Sequence, residues 1–119
     1  MTIAVAVTDS PEGRAALEYA VHEARQLDQN LVAVNLTHAE LDRSTITDGQ
    51  PFEVVVSESS ELDEVEVVLQ VLADRTDISR LVVGVRKRSP VGKAVLGSIA
   101  QRLILEAPLP VLAVKAGAQ

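Results

Sequence analysis

The sequence predicts an α/β fold, a three-layer sandwich in which helices cover both faces of a five-stranded, mostly parallel sheet. Two observations carry this prediction. Short apolar runs with the length of buried strands recur along the chain. Longer segments lie between most of them, and their apolar residues recur every three or four positions, as on one face of a helix. This alternation is typical of parallel strands joined by crossover helices.

The first strand and the first helix have the clearest signals. Residues 3–7 form an unbroken apolar run. Ser10 can cap a helix, Pro11 suits its first position, and Glu12 is favoured by the positive end of the helix dipole. The polar residues 28–30 end this helix. Its apolar stripe consists of Leu17, Ala20, Val21, Ala24 and Leu27.

The rest of the chain continues the alternation. The other predicted strands are 31–36, 52–56, 81–84 and 111–114, and the other predicted helices are 61–75 and 95–106. Between the second and third strands the polar segment 39–51 offers about thirteen residues, close to the minimum for a parallel crossover. Two arrangements stay open at this point: an irregular parallel crossover and an antiparallel pairing of the two strands.

Composition excludes several classes of protein. The 119 residues suit a single domain, 1–119, and no apolar run is long enough to span a membrane. We recognise no secretory signal. A net charge of −6 and an aromatic content of 2% disfavour binding to nucleic acid. The lack of cysteine removes disulfides and thiolate chemistry, and it is compatible with a cytoplasmic location.

Basic residues cluster from just before the fourth strand to the start of the third helix of an otherwise acidic protein. The cluster consists of Arg80, Arg86, Lys87, Arg88 and Lys93. Glycine is also concentrated here, and Gly97 and Ser98 lie near the predicted helix start. Anions bind at helix N-termini and beyond the carboxyl ends of parallel strands. The position therefore favours an anion or phosphate site over the alternative, a charged loop that is simply solvated.

The sequence indicates no catalytic or metal site. Only His22 and His38 are available as histidine bases, and two distant histidines do not make a zinc site. The first turn, residues 8–11, has neither a Walker P-loop nor a Rossmann fingerprint. We therefore expect a binding protein rather than an enzyme, with weak hydrolysis of a bound ligand as an open alternative.

Four segments of the chain resemble those of a known family. They are residues 81–86, 95–102 and 107–114, together with the opening stretch 5–20. In glycine spacing, in the Gly-Ser pair and in the Pro-Val start of the last strand, they are similar to the universal stress protein family. The resemblance covers nearly the whole chain. It implies the strand order 3-2-1-4-5 of adenine nucleotide alpha hydrolase-like folds.

The resemblance also implies a ligand. Nucleotide-binding members carry a glycine pattern after the fourth strand, and ATP or another adenine nucleotide is the cofactor it suggests. Lys87 stands in place of the middle glycine of that pattern, and Thr8 stands where the family commonly has aspartate. The implied site consists of Val7, Thr8 and Leu36 around the base, Gly84, Gly97, Ser98 and Ile99 at the phosphates, and Arg86, Lys87 and Lys93 as attracting cations.

Two functions stay open at the level of sequence. The first is a regulatory protein of the stress response whose cleft accepts an adenine nucleotide or a smaller phosphate-like anion. The second is a nucleotide-free dimeric interaction protein whose cleft is blocked or altered by Lys87 and Thr8. For either function the resemblance implies a homodimer formed through the last strand, from Pro110 to Val114, because an apolar edge strand is prone to pair with another copy.

Overall fold

Five strands and three helices make up the computed structural model, which describes residues 1–37, 39–41, 52–56, 63–86 and 97–115. The strands are β1 (Thr2–Val7), β2 (Asn30–Asn35), β3 (Glu53–Val56), β4 (Ile78–Val85) and β5 (Val111–Lys115), and the helices are α1 (Pro11–Leu27), α2 (Glu64–Asp74) and α3 (Ser98–Glu106). The strands form one sheet in the order β3-β2-β1-β4-β5. The predicted fold class and strand order are confirmed.

Every neighbouring pair of strands is parallel, including β2 and β3. Of the two arrangements open at the level of sequence, the parallel crossover is therefore the one that forms. Most of the segment that makes this crossover, 42–51, lies outside the described residues.

The sheet separates two apolar cores. On one side Ala4 and Ala6 of β1 face α2 and α3, and on the other side Ile3, Val5 and Val7 face α1. This division follows from the alternation of side chains along a strand. All six residues of β1 are buried, because the strand has a neighbour on each edge and a helix layer on each face.

The helix starts follow from local capping chemistry. Ser10 caps α1 by accepting a hydrogen bond from the backbone N–H of Gly13 at 3.0 Å. Asp63 caps α2 in a capping box with Glu66, so the described part of this helix begins at residue 64 rather than at the predicted 61. Predicted positions 61, 62, 95 and 96 lie outside the described residues.

Strand β4 begins three residues earlier than the apolar pattern predicts. Ser79 and Arg80 are polar, but both have partners when they lie in the strand. The Ser79 hydroxyl donates to the side-chain oxygen of Gln29 at 2.7 Å, and Arg80 forms an ion pair with Glu23 at 3.0 Å. Tertiary partners thus extend a strand whose hydrophobic signal is limited to its second half.

A polar network joins the amino ends of three strands. Arg75 donates to both carboxylate oxygens of Asp77 and to Glu53 on β3. The buried Thr2 hydroxyl on β1 donates to Asp77 at 2.6 Å. Hydrogen bonds hold the pKa of Asp77 well below its usual range, because they favour the charged carboxylate. Arg75 makes the largest contribution and Thr2 the next largest. The network fixes the edge of the sheet that lies opposite the candidate site.

Candidate functional site

A cavity of about 190 Å³ lies at the carboxyl edge of the sheet, between β1 and β4. Its walls come from the ends of these strands, from the first turn of α1 and from the first turn of α3. The residues that line it are Ala6, Thr8, Ser10, Glu12, Val83, Gly84, Arg86, Gly97, Ser98, Ile99, Ala100 and Leu103. Strand order reverses between β1 and β4, and this is where ligands bind in open parallel sheets.

Two glycines let the first turn of α1 approach the sheet closely. A Cβ atom added to Gly84 would lie 2.0 Å from the main-chain oxygen of Glu12. A Cβ atom added to Gly13 would lie 2.1 Å from the main-chain oxygen of Thr8. Neither position can accept a larger residue unless the backbone shifts. Gly84 is thus required by helix packing, whatever else it contacts in the cavity.

The turn between β1 and α1 is held by hydroxyl groups. The hydroxyl oxygens of Thr8 and Ser10 are 2.7 Å apart, within hydrogen-bonding distance. Ser10 also caps α1, so Thr8 is linked through one side chain to the start of the helix. An aspartate at position 8 would add a negative charge beside Asp9 at this turn, and the threonine does not.

The start of α3 offers free hydrogen-bond donors to the cavity. Gly97 is the capping residue, and no side chain in the described part of the chain makes a capping hydrogen bond there. The first intrahelical bond runs from the N–H of Gln101 to the carbonyl of Gly97. The N–H groups of Ser98, Ile99 and Ala100 therefore precede the helix's own bonding and are available to an anion. Side chains cap the other two helices.

The charges in the cavity are balanced by one ion pair. Among the described residues that line it, Arg86 is the one cation and Glu12 the one anion. The Nε of Arg86 donates to the Glu12 carboxylate at 3.2 Å. The Arg86 side chain is 66% exposed and that of Glu12 only 17%. The pair connects the carboxyl end of β4 with the first turn of α1.

The structure brings together six of the residues that the sequence implied. Thr8, Gly84, Arg86, Gly97, Ser98 and Ile99 all line this cavity. Gly97 caps α3 and Ser98 is its first residue, so the helix begins three residues after the predicted start at 95. Lys87 and Lys93 lie outside the described residues, so their part in the site stays a prediction.

Val7 and Leu36 lie elsewhere. The N–H of Leu36 donates to the carbonyl of Val7 at 2.9 Å, so the two residues are neighbours at the carboxyl edge. The side chain of Val7, however, is buried in the core beneath α1, and that of Leu36 packs on the core beneath α2 and α3. Val7 lines a second cavity of about 370 Å³ on the α1 side of the sheet. Thr8 follows the last residue of β1 and lines both cavities.

Of the six lining residues that the sequence did not imply, two are polar, namely Ser10 and Glu12. Both were identified in the sequence only as helix-start signals. A helix that follows a parallel strand begins at the carboxyl edge of the sheet, so its first turn borders any cleft there. The cap of the first helix was therefore the available signal for these two wall residues.

Two negative findings apply to the described parts of the chain. Within residues 1–37, 39–41, 52–56, 63–86 and 97–115, no three histidine or acidic side chains are grouped so that they could hold a metal ion. None of the helices formed by these residues is long and apolar enough to cross a membrane.

The fold and the cavity define a class of protein: a parallel α/β domain with a cleft at its topological switch point. Residues 48–115 match the model of the universal stress protein family. A universal stress protein from Mycolicibacterium smegmatis is 38% identical over 128 residues, which cover 95% of this chain and 96% of that protein. The chain belongs to the universal stress protein family.

Solved structures share the fold. A universal stress protein from Archaeoglobus fulgidus superposes with a TM-score of 0.72 at 27% identity, over 97% of this chain and 98% of that one. A structure of the universal stress protein from the same organism in complex with dAMP has a TM-score of 0.64 at 22% identity, with coverages of 97% and 98%. A universal stress protein in complex with cAMP has a TM-score of 0.64 at 18% identity, covering 98% of each chain.

Proposed function

We propose that this protein is a regulatory protein of the stress response that binds ATP or another adenine nucleotide. The observation that carries the proposal is the start of α3, which faces a cavity at the switch point of the sheet and receives no capping hydrogen bond from a side chain of the described residues. Free N–H groups at a helix N-terminus are a ready site for phosphate. Arg86 at the mouth of the cavity supplies a guanidinium, which suits phosphate oxygens.

Two further facts support a nucleotide rather than an isolated anion. Relatives of the same fold have been solved in complex with dAMP and with cAMP, both adenine nucleotides. The apolar residues Ala6, Val83 and Leu103 line the cavity beside its polar groups, as is usual in small-molecule sites. In this proposal the phosphates bind at Gly97, Ser98 and Ile99.

Isothermal titration tests the proposal directly. Mg-ATP, AMP and inorganic phosphate are each titrated into protein that has been shown by denaturation and absorbance to carry no retained nucleotide. We expect the titration with Mg-ATP to give a heat of binding, and the titration with inorganic phosphate to give a smaller one or none. Binding of phosphate alone would reduce the site to an anion site, and no binding of any of the three would overturn the proposal.

A nucleotide-free interaction protein is the second candidate. One observation favours it: the Glu12 carboxylate already occupies a wall of the cavity and is paired with Arg86. Lys87→Gly separates the two functions. If Lys87 blocks the cleft, the variant gains affinity for ATP, and if Lys87 binds phosphate, the variant loses it. No change in either direction would mean that this position does not control nucleotide binding.

A homodimer through β5 is part of both proposals. β5 pairs with β4 on one edge, and among the described residues no strand pairs with its other edge. Leu105 on α3 is 75% exposed, and Ala113 on β5 is also exposed. Unpaired backbone groups next to apolar side chains favour pairing with a second copy. Regulation without enzymatic activity, and a cytoplasmic location, stay predictions.

A further inference from the structure

We propose that Glu12 is a specificity-determining residue that competes with the phosphates of the ligand for Arg86, so that the cleft discriminates against highly charged nucleotides. This inference rests on the proposed function, since it concerns the same cavity. It assigns a role to a residue that the nucleotide-binding pattern does not include. The observation behind it is the ion pair between Arg86 and Glu12 at 3.2 Å inside the cavity wall.

The position of Glu12 is fixed by the fold. Its main-chain oxygen lies against Gly84, where an added Cβ would come within 2.0 Å. Its side chain belongs to the first turn of α1, whose positive dipole end favours an anion. With only 17% of its side chain exposed, the carboxylate depends on protein partners more than on water for its stability. The Glu12 carboxylate thus occupies the position beside Arg86 that a phosphate of the ligand would take.

Competition follows from the count of charges. Arg86 is the one cation among the described residues that line the cavity. A phosphate that takes the guanidinium must separate it from Glu12 and leave a poorly solvated carboxylate close to the phosphate. Two like charges at short range in a partly buried site repel each other much more strongly than in water. The repulsion grows with the negative charge of the ligand, so a triphosphate is penalised more than a monophosphate.

Glu12→Gln is the test variant, because it keeps the side-chain size and removes the charge. Binding of AMP and ATP is measured by titration with EDTA present, so that no divalent ion neutralises the phosphates. We expect the variant to bind ATP more tightly by about tenfold and AMP by a smaller factor. The ratio of the two affinities then shifts toward ATP. Circular dichroism and urea unfolding verify that the variant is folded.

Glu18→Gln is the matched control. Glu18 is an exposed acidic residue on the same helix. It lines the second cavity, on the α1 side of the sheet, and not the cavity that contains Glu12. Glu18→Gln removes the same net charge as Glu12→Gln. If it shifted the ratio of ATP to AMP affinity by the same amount, the effect would be due to overall charge and the proposal would be overturned. Weaker ATP binding by Glu12→Gln, with EDTA or with Mg²⁺, would overturn it as well, because Glu12 would then assist the ligand or its metal.

Arg86→Gln completes a double-mutant cycle. If Glu12 competes for Arg86, then Arg86→Gln lowers ATP affinity more in the Glu12→Gln background than in the wild type. Additive effects would overturn the competition. The failure of the proposed function can be distinguished from the failure of this inference. If neither the wild type nor Glu12→Gln binds any nucleotide, both proposals are overturned. If both proteins bind AMP and ATP in the same ratio, only the role of Glu12 is lost.

Discussion

The main-chain oxygen of Glu12 lies directly against Gly84, so close that a Cβ atom on Gly84 would come within 2.0 Å of it. This contact connects the first turn of α1 to the carboxyl end of β4. It sets the width of the cavity between them, because both residues also form part of its wall. A glycine that the sequence suggested for ligand approach is therefore also a packing glycine.

Gly84→Ala should destabilise the protein, because the new methyl group collides with backbone rather than with a flexible side chain. We expect a loss of about 1–3 kcal/mol in the free energy of unfolding, measured by urea denaturation. Gly97→Ala is the matched control: its added Cβ meets no atom of the described residues within 4 Å, and the φ of Gly97 is −63°. The control should lose no more than about 1 kcal/mol, for the less favourable cap. Equal losses in the two variants would contradict the packing role of Gly84.

Ser10→Ala should weaken the start of α1. The substitution removes the cap of the Gly13 N–H and the hydroxyl partner of Thr8. A loss of about 1 kcal/mol in unfolding free energy is expected. Ser10→Asp keeps an acceptor at the cap and should retain most of the stability. An alanine variant as stable as the wild type would show that the cap contributes little.

Acid should reduce stability through Asp77. Arg75 and Thr2 lower the pKa of Asp77 in the folded state, so its contribution is fully present above the ordinary aspartate pKa of about 4. It is lost as the pH falls from there toward the lowered pKa. Asp77→Asn should be less stable than the wild type at pH 7, and the difference should shrink below about pH 4.

Thermal unfolding monitored by circular dichroism across this pH range measures the effect. Asp28→Asn, which removes the same charge from an exposed aspartate at the end of α1, controls for net charge. The prediction for Asp77 is contradicted if the stability difference between Asp77→Asn and the wild type stays constant from pH 7 to pH 3.

Ala113→Lys should dissociate the proposed dimer. Ala113 is exposed on β5, and lysine on an edge strand disfavours pairing with another strand. Sedimentation velocity should show a dimer for the wild type and a monomer for the variant. Ala73→Lys, which adds the same charge to an exposed position of α2, should remain dimeric. A wild-type protein that sediments as a monomer would refute the dimer itself.

Most of the fold could be predicted from local patterns. The run at residues 3–7 and the cap at Ser10 gave β1 and the start of α1 correctly, because both are set by nearest neighbours in sequence. The amino half of β4 could not be predicted in this way. Ser79 and Arg80 join the strand through Gln29 and Glu23, which are distant in sequence.

Some features of the candidate site were also predictable from local sequence, and others depended on tertiary contacts. By itself the sequence determined that glycines, a serine and basic residues stand between the fourth strand and the third helix, and that strand ends and helix starts favour an anion there. Only the tertiary structure decided that Glu12 faces Arg86 and that Val7 points away from the cavity. Spacing along one segment fixes which groups are available. Which of them share a cavity depends on how α1 packs against β4, and this contact joins residues more than seventy positions apart.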